Sequence, residues 1–306
     1  MSRIHDALVK AEQERNGGQV ASAATLPAEV PGVKLLAEGS APANAAEAVT
    51  RVGIVIPRPS SPYLRFNSVV AHCAHPQWHP EPNANIFLNS AAGAQGAEQF
   101  RTLRSRLYEI RGDQPTYSLL VSSSLPDEGK TFVTNNLAQA IVRQPQHRAL
   151  LIDADLRHPQ LHLALGAPLT PGLSDYLRGE ADELSALQRG NEGNLCFMPG
   201  GSRVSNPSEL LCNGRLKVLL ERVAPIFDWV ILDSPPCLPV ADANILAGLC
   251  DGVLLVVRAG STPVEVAQKV CQRLEGRNIV GVVLNGAEQN EPYGSHYYDH
   301  DPSMVV

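Results

Sequence analysis

From about residue 93 onward, apolar residues come in short runs: YSLLVSS, RALLID, LCFMPGG, FDWVILD, GVLLVV and IVGVVLN. Between the runs lie segments of helical spacing near 130–143, 207–224, 240–249 and 263–276. Strands that are apolar on both faces must be covered on both faces, and strands alternating with helices pair in parallel. The pattern therefore predicts an α/β domain over 93–286, a parallel sheet with helices on both faces. Ahead of it the spacing differs. Ile4, Ala7, Leu8 and Ala11 mark one face of a short amphipathic helix within residues 1–18, too short to persist alone in water. Over 19–92 no period persists, and stretches such as APANAAEAVT and PRPSSP read as a flexible Ala/Pro-rich linker. Inside it, His72, Cys73, His75 and His79 crowd together around Pro76 without a second ligand cluster, the mark of a solvated loop rather than a metal site. Residues 287–306 are polar and broken by Pro292, Gly294 and Pro302, and read as a disordered tail.

Composition narrows the classes. Of 306 residues, 44% are hydrophobic and 18% charged, which excludes wholesale disorder. A net charge of −6 gives no basic surface for nucleic acid or anionic lipid, and 5% aromatics leave little for base stacking. The six cysteines show no CxxC spacing, Met1 is not followed by a secretory apolar stretch, and no apolar run reaches the ~18 residues of a membrane span. These features point to a reducing, cytoplasmic compartment.

Chemistry concentrates after the first strand, in SSSLPDEGKTFVTNNLA. A strand, a loop and Gly129-Lys130-Thr131 opening a helix form a Walker A context, although Ser124 stands where the strict pattern has its first Gly. Loop N–H groups and a helix N-terminus cradle phosphates, Lys130 neutralises their oxygens, and the Thr131 hydroxyl offers a place for Mg²⁺. Pro126, Asp127, Glu128 and Phe132 complete the predicted cradle. LLIDADLR ends a strand on Asp153 and Asp155, and WVILDSPP ends another on Asp233. Carboxylates at the carboxyl ends of parallel strands point into the ligand crevice, so the three together predict a Mg–nucleotide site.

These motifs resemble those of the bacterial tyrosine autokinases (BY-kinases) of exopolysaccharide assembly, deviant-Walker P-loop proteins. The resemblance covers residues 95–285 and the tail, and includes S-x-x-P-x-E-G-K-T, LLIDADLR, VILDSPP, SNPSELL, VVRAGST and VVLNG. The opening MSRIHDALVKAEQER is similar to the soluble, exosortase-associated branch, the chain-length-determinant tyrosine kinases. The resemblance implies ATP and Mg²⁺, with the metal on Thr131, Asp155 and Asp233, and Asn285 near the adenine. Lys130, Asp153 and Asp155 become the catalytic set, Asp153 being preferred over Asp155 as the base. Tyr293, Tyr297 and Tyr298 become the phosphorylation sites, presented to a neighbouring subunit. Glu98, Arg101 and Arg104 match the E-x-x-R-x-x-R element that joins subunits of the family into a ring; read from spacing alone, they are a solvated helix face.

The further partners implied are a membrane chain-length-determinant (polysaccharide co-polymerase) protein and a tyrosine phosphatase. They would hold the chain in the cytoplasm, peripheral at the inner membrane. Two departures stand out: Asp127 where many relatives have Gly, and a cluster of only three tail tyrosines. They sustain an alternative, an ATP-binding, oligomerising regulator of polysaccharide assembly without kinase activity. A partition-type ATPase fares worse, because its signature Lys five residues before the invariant Lys is here Leu125.

Overall fold

The computed structural model describes residues 65–88, 93–113, 116–190 and 193–287. The amphipathic segment 2–15, the linker up to residue 64 and the three tail tyrosines lie outside the described residues. Seven strands form one sheet: β1 Ser118–Ser123, β2 Ala149–Asp153, β3 Gln188–Arg189, β4 Leu195–Met198, β5 Trp229–Asp233, β6 Gly252–Arg258 and β7 Ile279–Asn285. Their order is β3-β4-β2-β5-β1-β6-β7, and every pair is parallel except β3 with β4.

The apolar runs are the strands. β1, β2, β4 and β5 are buried at every position, whereas β7, at the sheet edge, is only half-buried. Neighbours along a strand alternate between two cores, as side chains on a pleat must. Leu120, Leu150, Ile152 and Leu232 enter one core; Leu119, Val121, Leu151 and Ile231 enter the other. Helix α3 (Lys130–Val142) covers the second core through Val133, Leu137 and Ile141. The first core is covered by α5 (Leu173–Arg178), α7 (Arg215–Val223), α8 (Asp242–Ala247) and α9 (Val264–Arg273). In α7, Leu216, Leu219, Leu220 and Val223 make the buried stripe. The helical stretch expected over 207–224 is divided into α6 (Pro207–Leu211) and α7, because Gly214 takes a left-handed conformation (φ 84°) between them. Two further helices matter below, α2 (Gly93–Asp113) and the short α4 (Leu161–Leu165).

The segment 65–88 corrects the expectation of a continuous linker. Helix α1 (Phe66–His72) buries Val69 completely, and Cys73 and Trp78 are almost fully buried behind it. Phe66 meets Phe227 edge-on at 5.8 Å, and Trp78 meets Phe197 at 6.0 Å. Ala74 pairs with Gln188, extending the sheet beyond β3. The chain then crosses to α4, where the Glu81 N–H donates to the Ala164 carbonyl (3.1 Å), and on to α3, where Asn135 and Asn136 both donate to the Ala84 carbonyl. Widely spaced anchors and backbone bonds hold this strap, and neither produces a hydrophobic period. The histidines within it serve local turns: His72 Nδ1 donates to the Ser68 carbonyl and His75 Nε2 to that of Val70. Among the described residues, no three His, Cys, Asp or Glu side chains gather as a metal cage.

Candidate nucleotide site

β1 lies inside the sheet, with β5 and β6 on either side, so the loop that follows it opens along the interior of the carboxyl edge. That loop is built by its own residues. Glu128 is buried and accepts the Leu125 N–H through Oε2 at 2.8 Å; its other oxygen takes a very short hydrogen bond from the Thr262 hydroxyl. Glu128 therefore shapes the loop and ties it to the β6–α9 connection. Asp127 adopts φ 62°, a left-handed conformation that Gly takes freely and Asp takes more readily than most residues. Pro126 and Asp127 are exposed at the loop's tip.

Gly129 precedes α3 at φ 92°, and a Cβ there would lie 2.0 Å from Asn285 Nδ2. The Asn285 amide donates to the Glu128 carbonyl at 2.9 Å, so the last residue of β7 clamps the loop backbone. Phe132, in the first turn of α3, packs edge-on against Phe100 of α2.

Lys130 Nζ stands 3.5 Å from Asp155 Oδ2 and 3.5 Å from Thr131 Oγ1. Thr131 donates to Asp233 Oδ2 at 2.6 Å, and Thr134 donates to Asp233 Oδ1 at 3.2 Å. Asp155 accepts the His158 N–H through Oδ1. Asp153 accepts the N–H groups of Gln160 and Leu161 through Oδ2, both at 3.0 Å, and so holds the start of α4. Its Oδ1 is buried without a partner. Asp155 is thus paired with Lys130 and Asp233 with the Thr131 and Thr134 hydroxyls, while Asp153 lies opposite Asp233 in the register of β2 with β5. Burial, and then the repulsion of Asp233, pushes the Asp153 carboxyl well above its ordinary range. Burial likewise lifts Asp233 to about 6, against the opposing pull of Lys130 and the Thr131 hydroxyl.

A cleft of about 580 Å³ opens from Gly129, Lys130 and Thr131. These residues fit a magnesium nucleotide. The orphaned Asp153 oxygen and its repulsion from the Asp233 carboxylate favour a nearby positive charge, the N–H groups opening α3 favour phosphate, and Gly129 leaves the backbone bare where a side chain would collide. Thr131 and Asp233 would hold the metal, with Asp155 beside them. Thr134, Thr262 and Ala84 escape a reading of motifs, since each joins the site through partners 50 or more residues away in sequence.

The predicted assembly residues lie on α2. Arg101 and Glu98 pair at 2.8 Å and both are about half exposed. Arg104 is half-buried and donates to the Ala140 carbonyl of α3 at 2.6 Å, so part of its donor capacity is used within the chain.

Comparison with known proteins agrees with this geometry. No protein-family model matches the chain. It is 34% identical over 216 residues to the tyrosine-protein kinase YwqD of Bacillus subtilis, a match covering 70% of this chain and 91% of that protein. It is also 34% identical over 212 residues to the tyrosine-protein kinase etk of Escherichia coli (strain K12), covering 69% of this chain but 29% of that longer protein. The solved kinase domain of Escherichia coli tyrosine kinase ETK superposes with a TM-score of 0.59 at 35% identity, covering 65% of this chain and 80% of the domain. The chain belongs to the bacterial tyrosine-protein kinase family.

Proposed function

We propose that this chain is an ATP-dependent protein-tyrosine kinase that phosphorylates Tyr293, Tyr297 and Tyr298 on a neighbouring copy, and thereby regulates exopolysaccharide polymerisation and export. One observation carries the catalytic part. Of the carboxylate oxygens of Asp153, Asp155 and Asp233, all are hydrogen-bonded or ion-paired except Asp153 Oδ1. A base must have a spare acceptor, and this oxygen has one, but it is fully buried, so the reading requires that it become accessible when nucleotide and acceptor bind.

In the transfer, the tyrosyl oxygen forms a bond to the γ-phosphorus while the bond to the β–γ bridging oxygen breaks, its electron pair leaving with ADP. The phenolic proton passes to Asp153. A free tyrosine ionises near pH ~10, so a positioned acceptor is needed at neutral pH. Lys130 leaves Asp155 to neutralise charge on the transferring group. Magnesium, when bound, neutralises the phosphates and aligns them. Asn285, clamped against the loop, borders the place for the adenine.

Arg101, Glu98 and the free donors of Arg104 supply the contact between copies. Among the described residues no helix is long and apolar enough to cross a membrane, and membrane association comes through a chain-length-determinant partner. A tyrosine phosphatase would reset the tail.

The test is Lys130→Met with labelled ATP. Loss of one preorganised charged contact costs about 3–4 kcal/mol, so transfer to protein should fall on the order of 10²- to 10³-fold or more. A variant that turns over Mg–ATP like its parent would remove the site from this loop.

A further inference from the structure

The opposite edge of the sheet carries a second large pocket. It measures about 570 Å³ and is built largely from the segments that enter β1, β2 and β5, a strand length away from the phosphate loop. Arg111, Tyr117, Gln146, Arg148, Phe227 and Asp228 line it, and the nucleotide site uses none of them. In a chain of net charge −6, a pocket with two guanidiniums and one carboxylate is a local reversal of sign.

Both guanidiniums rest on aromatic rings. Arg148 lies over Phe66 at 4.3 Å, and Phe66 is itself fixed edge-on against Phe227. Arg111 lies over Tyr117 at 4.6 Å and over Trp229 at 5.5 Å, and donates through Nη1 to the Asp228 carbonyl. Stacking uses the flat face of a guanidinium and leaves the remaining N–H groups in its plane for an anion. Among the described residues, neither arginine is ion-paired with a carboxylate. The two nearby acids are already engaged. Asp228 Oδ2 accepts the Arg148 N–H at 2.8 Å, and its Oδ1 stands 3.7 Å from His147 Nδ1. Asp251 accepts the N–H groups of Tyr117 and Ser118 and the Ser118 hydroxyl. Tyr117 is 39% exposed, an aromatic ring left at the mouth of the pocket. Gln146 holds φ 69°; the other non-glycine residue with a positive φ among those described is Asp127 of the phosphate loop.

We infer that this pocket binds phosphotyrosine of the protein's own tail, with Arg111 and Arg148 taking the phosphate and Tyr117 the ring. A phosphate monoester carries about −1.5 to −2 charges and three acceptor oxygens, the partner that forked guanidinium donors fit best. An aromatic wall beside those donors selects a phosphate carried on a ring over one carried on an aliphatic side chain. The occupant follows from the sequence. Residues 287–306 hold Tyr293, Tyr297 and Tyr298 among Glu288, Glu291, Asp299 and Asp301, with no Lys or Arg, so the whole segment is drawn to a basic pocket. Ten residues separate Ala287 from Tyr297, a reach of up to ~34 Å, and the seven-residue β7 is about 23 Å from end to end. The inference rests on the kinase reading only for the origin of the phosphate. It adds a place that retains the product at the edge of the sheet opposite the one where transfer occurs.

The experiment reads binding separately from catalysis. A synthetic fluorescent peptide of residues 287–306, phosphorylated at its three tyrosines, is titrated into the full chain saturated with Mg–ADP. The unmodified peptide and one with phosphoserine at the same three positions are titrated beside it. The parent should bind the phosphotyrosine peptide about tenfold more tightly than the unmodified one, and about threefold more tightly than the phosphoserine one. Arg148→Gln should weaken that binding about tenfold, the effect of losing one charge-assisted contact. Gln146→Arg should strengthen it about threefold at low salt, with the gain vanishing near ~0.5 M salt. The fold of each variant is checked by its affinity for Mg–ADP, and a gain of affinity cannot arise from damage to the fold. Absence of binding to the parent, an unchanged affinity in either variant, or equal affinity for the phosphoserine peptide overturns the assignment. Because the phosphates are introduced by synthesis, the titration is independent of the chain's own activity. A chain that binds the phosphopeptide with these dependences yet never phosphorylates its tail overturns the kinase reading and leaves the pocket standing.

Discussion

Asp153 does two jobs with one carboxylate. Oδ2 holds the first turn of α4, and Oδ1 is left buried and free next to Asp233. An asparagine would keep an oxygen for the Gln160 and Leu161 N–H groups while removing the buried charge. Asp153→Asn should therefore raise the stability of the nucleotide-free chain by about 1 kcal/mol, or a melting temperature roughly 2–4 °C higher. Phosphoryl transfer should fall on the order of 10²- to 10⁴-fold with the base gone. Calorimetry and single-turnover transfer, measured on the same preparation, separate the two effects; a variant that is both less stable and fully active contradicts the assignment. At this scale much was legible in the sequence. Gly129, Lys130, Thr131 and the strand-end aspartates are contiguous motifs whose chemistry is local. The Glu128 contact with Thr262 was not, because it joins residues 134 apart and only the parallel order of β1 and β6 brings their loops together.

Among the elements, the strap changes the picture most. Trp78 is almost fully buried, packs on Phe197, and lies so close to Gly190 that a Cβ there would sit 2.1 Å from its ring. Trp78→Ala should destabilise the chain by about 3–5 kcal/mol, as removal of a large buried aromatic does. A linker residue would change stability by no more than about 0.5 kcal/mol. Denaturant unfolding decides between them. The strands were readable because a buried parallel strand is continuously apolar. The strap was not, because its hold depends on isolated anchors and on backbone bonds to α3 and α4, which leave no trace in hydrophobic spacing. Its Ala84 carbonyl, taken by two asparagines of the helix that follows the phosphate loop, links it mechanically to the nucleotide site.

For the whole molecule, the question is how copies meet. Glu98 and Arg101 pair on the surface of α2, and Arg104 is shared between solvent and the Ala140 carbonyl at the far end of α3. If they bridge subunits, replacing Arg101 and Arg104 together by Ala should yield a smaller species under conditions where the parent is oligomeric. Light scattering reads this directly, and an unchanged mass would return the motif to an ordinary solvated face. Because Arg104 also steadies α3, a modest fall in stability is expected alongside the change in size, about 1 kcal/mol for one lost hydrogen bond.

If Lys130 and the strand-end carboxylates transfer phosphate to tyrosine, rather than merely gate assembly with a nucleotide, the tail tyrosines must carry the product. The most direct measurement is mass spectrometry of the full chain after incubation with Mg–ATP, with and without a chain-length-determinant membrane partner, beside the Lys130→Met variant. Phosphate is expected on Tyr293, Tyr297 or Tyr298 of the parent, and none on the variant. Unmodified tail tyrosines in a parent that binds ATP with the partner present would contradict it, and would make the chain a nucleotide-dependent assembly factor.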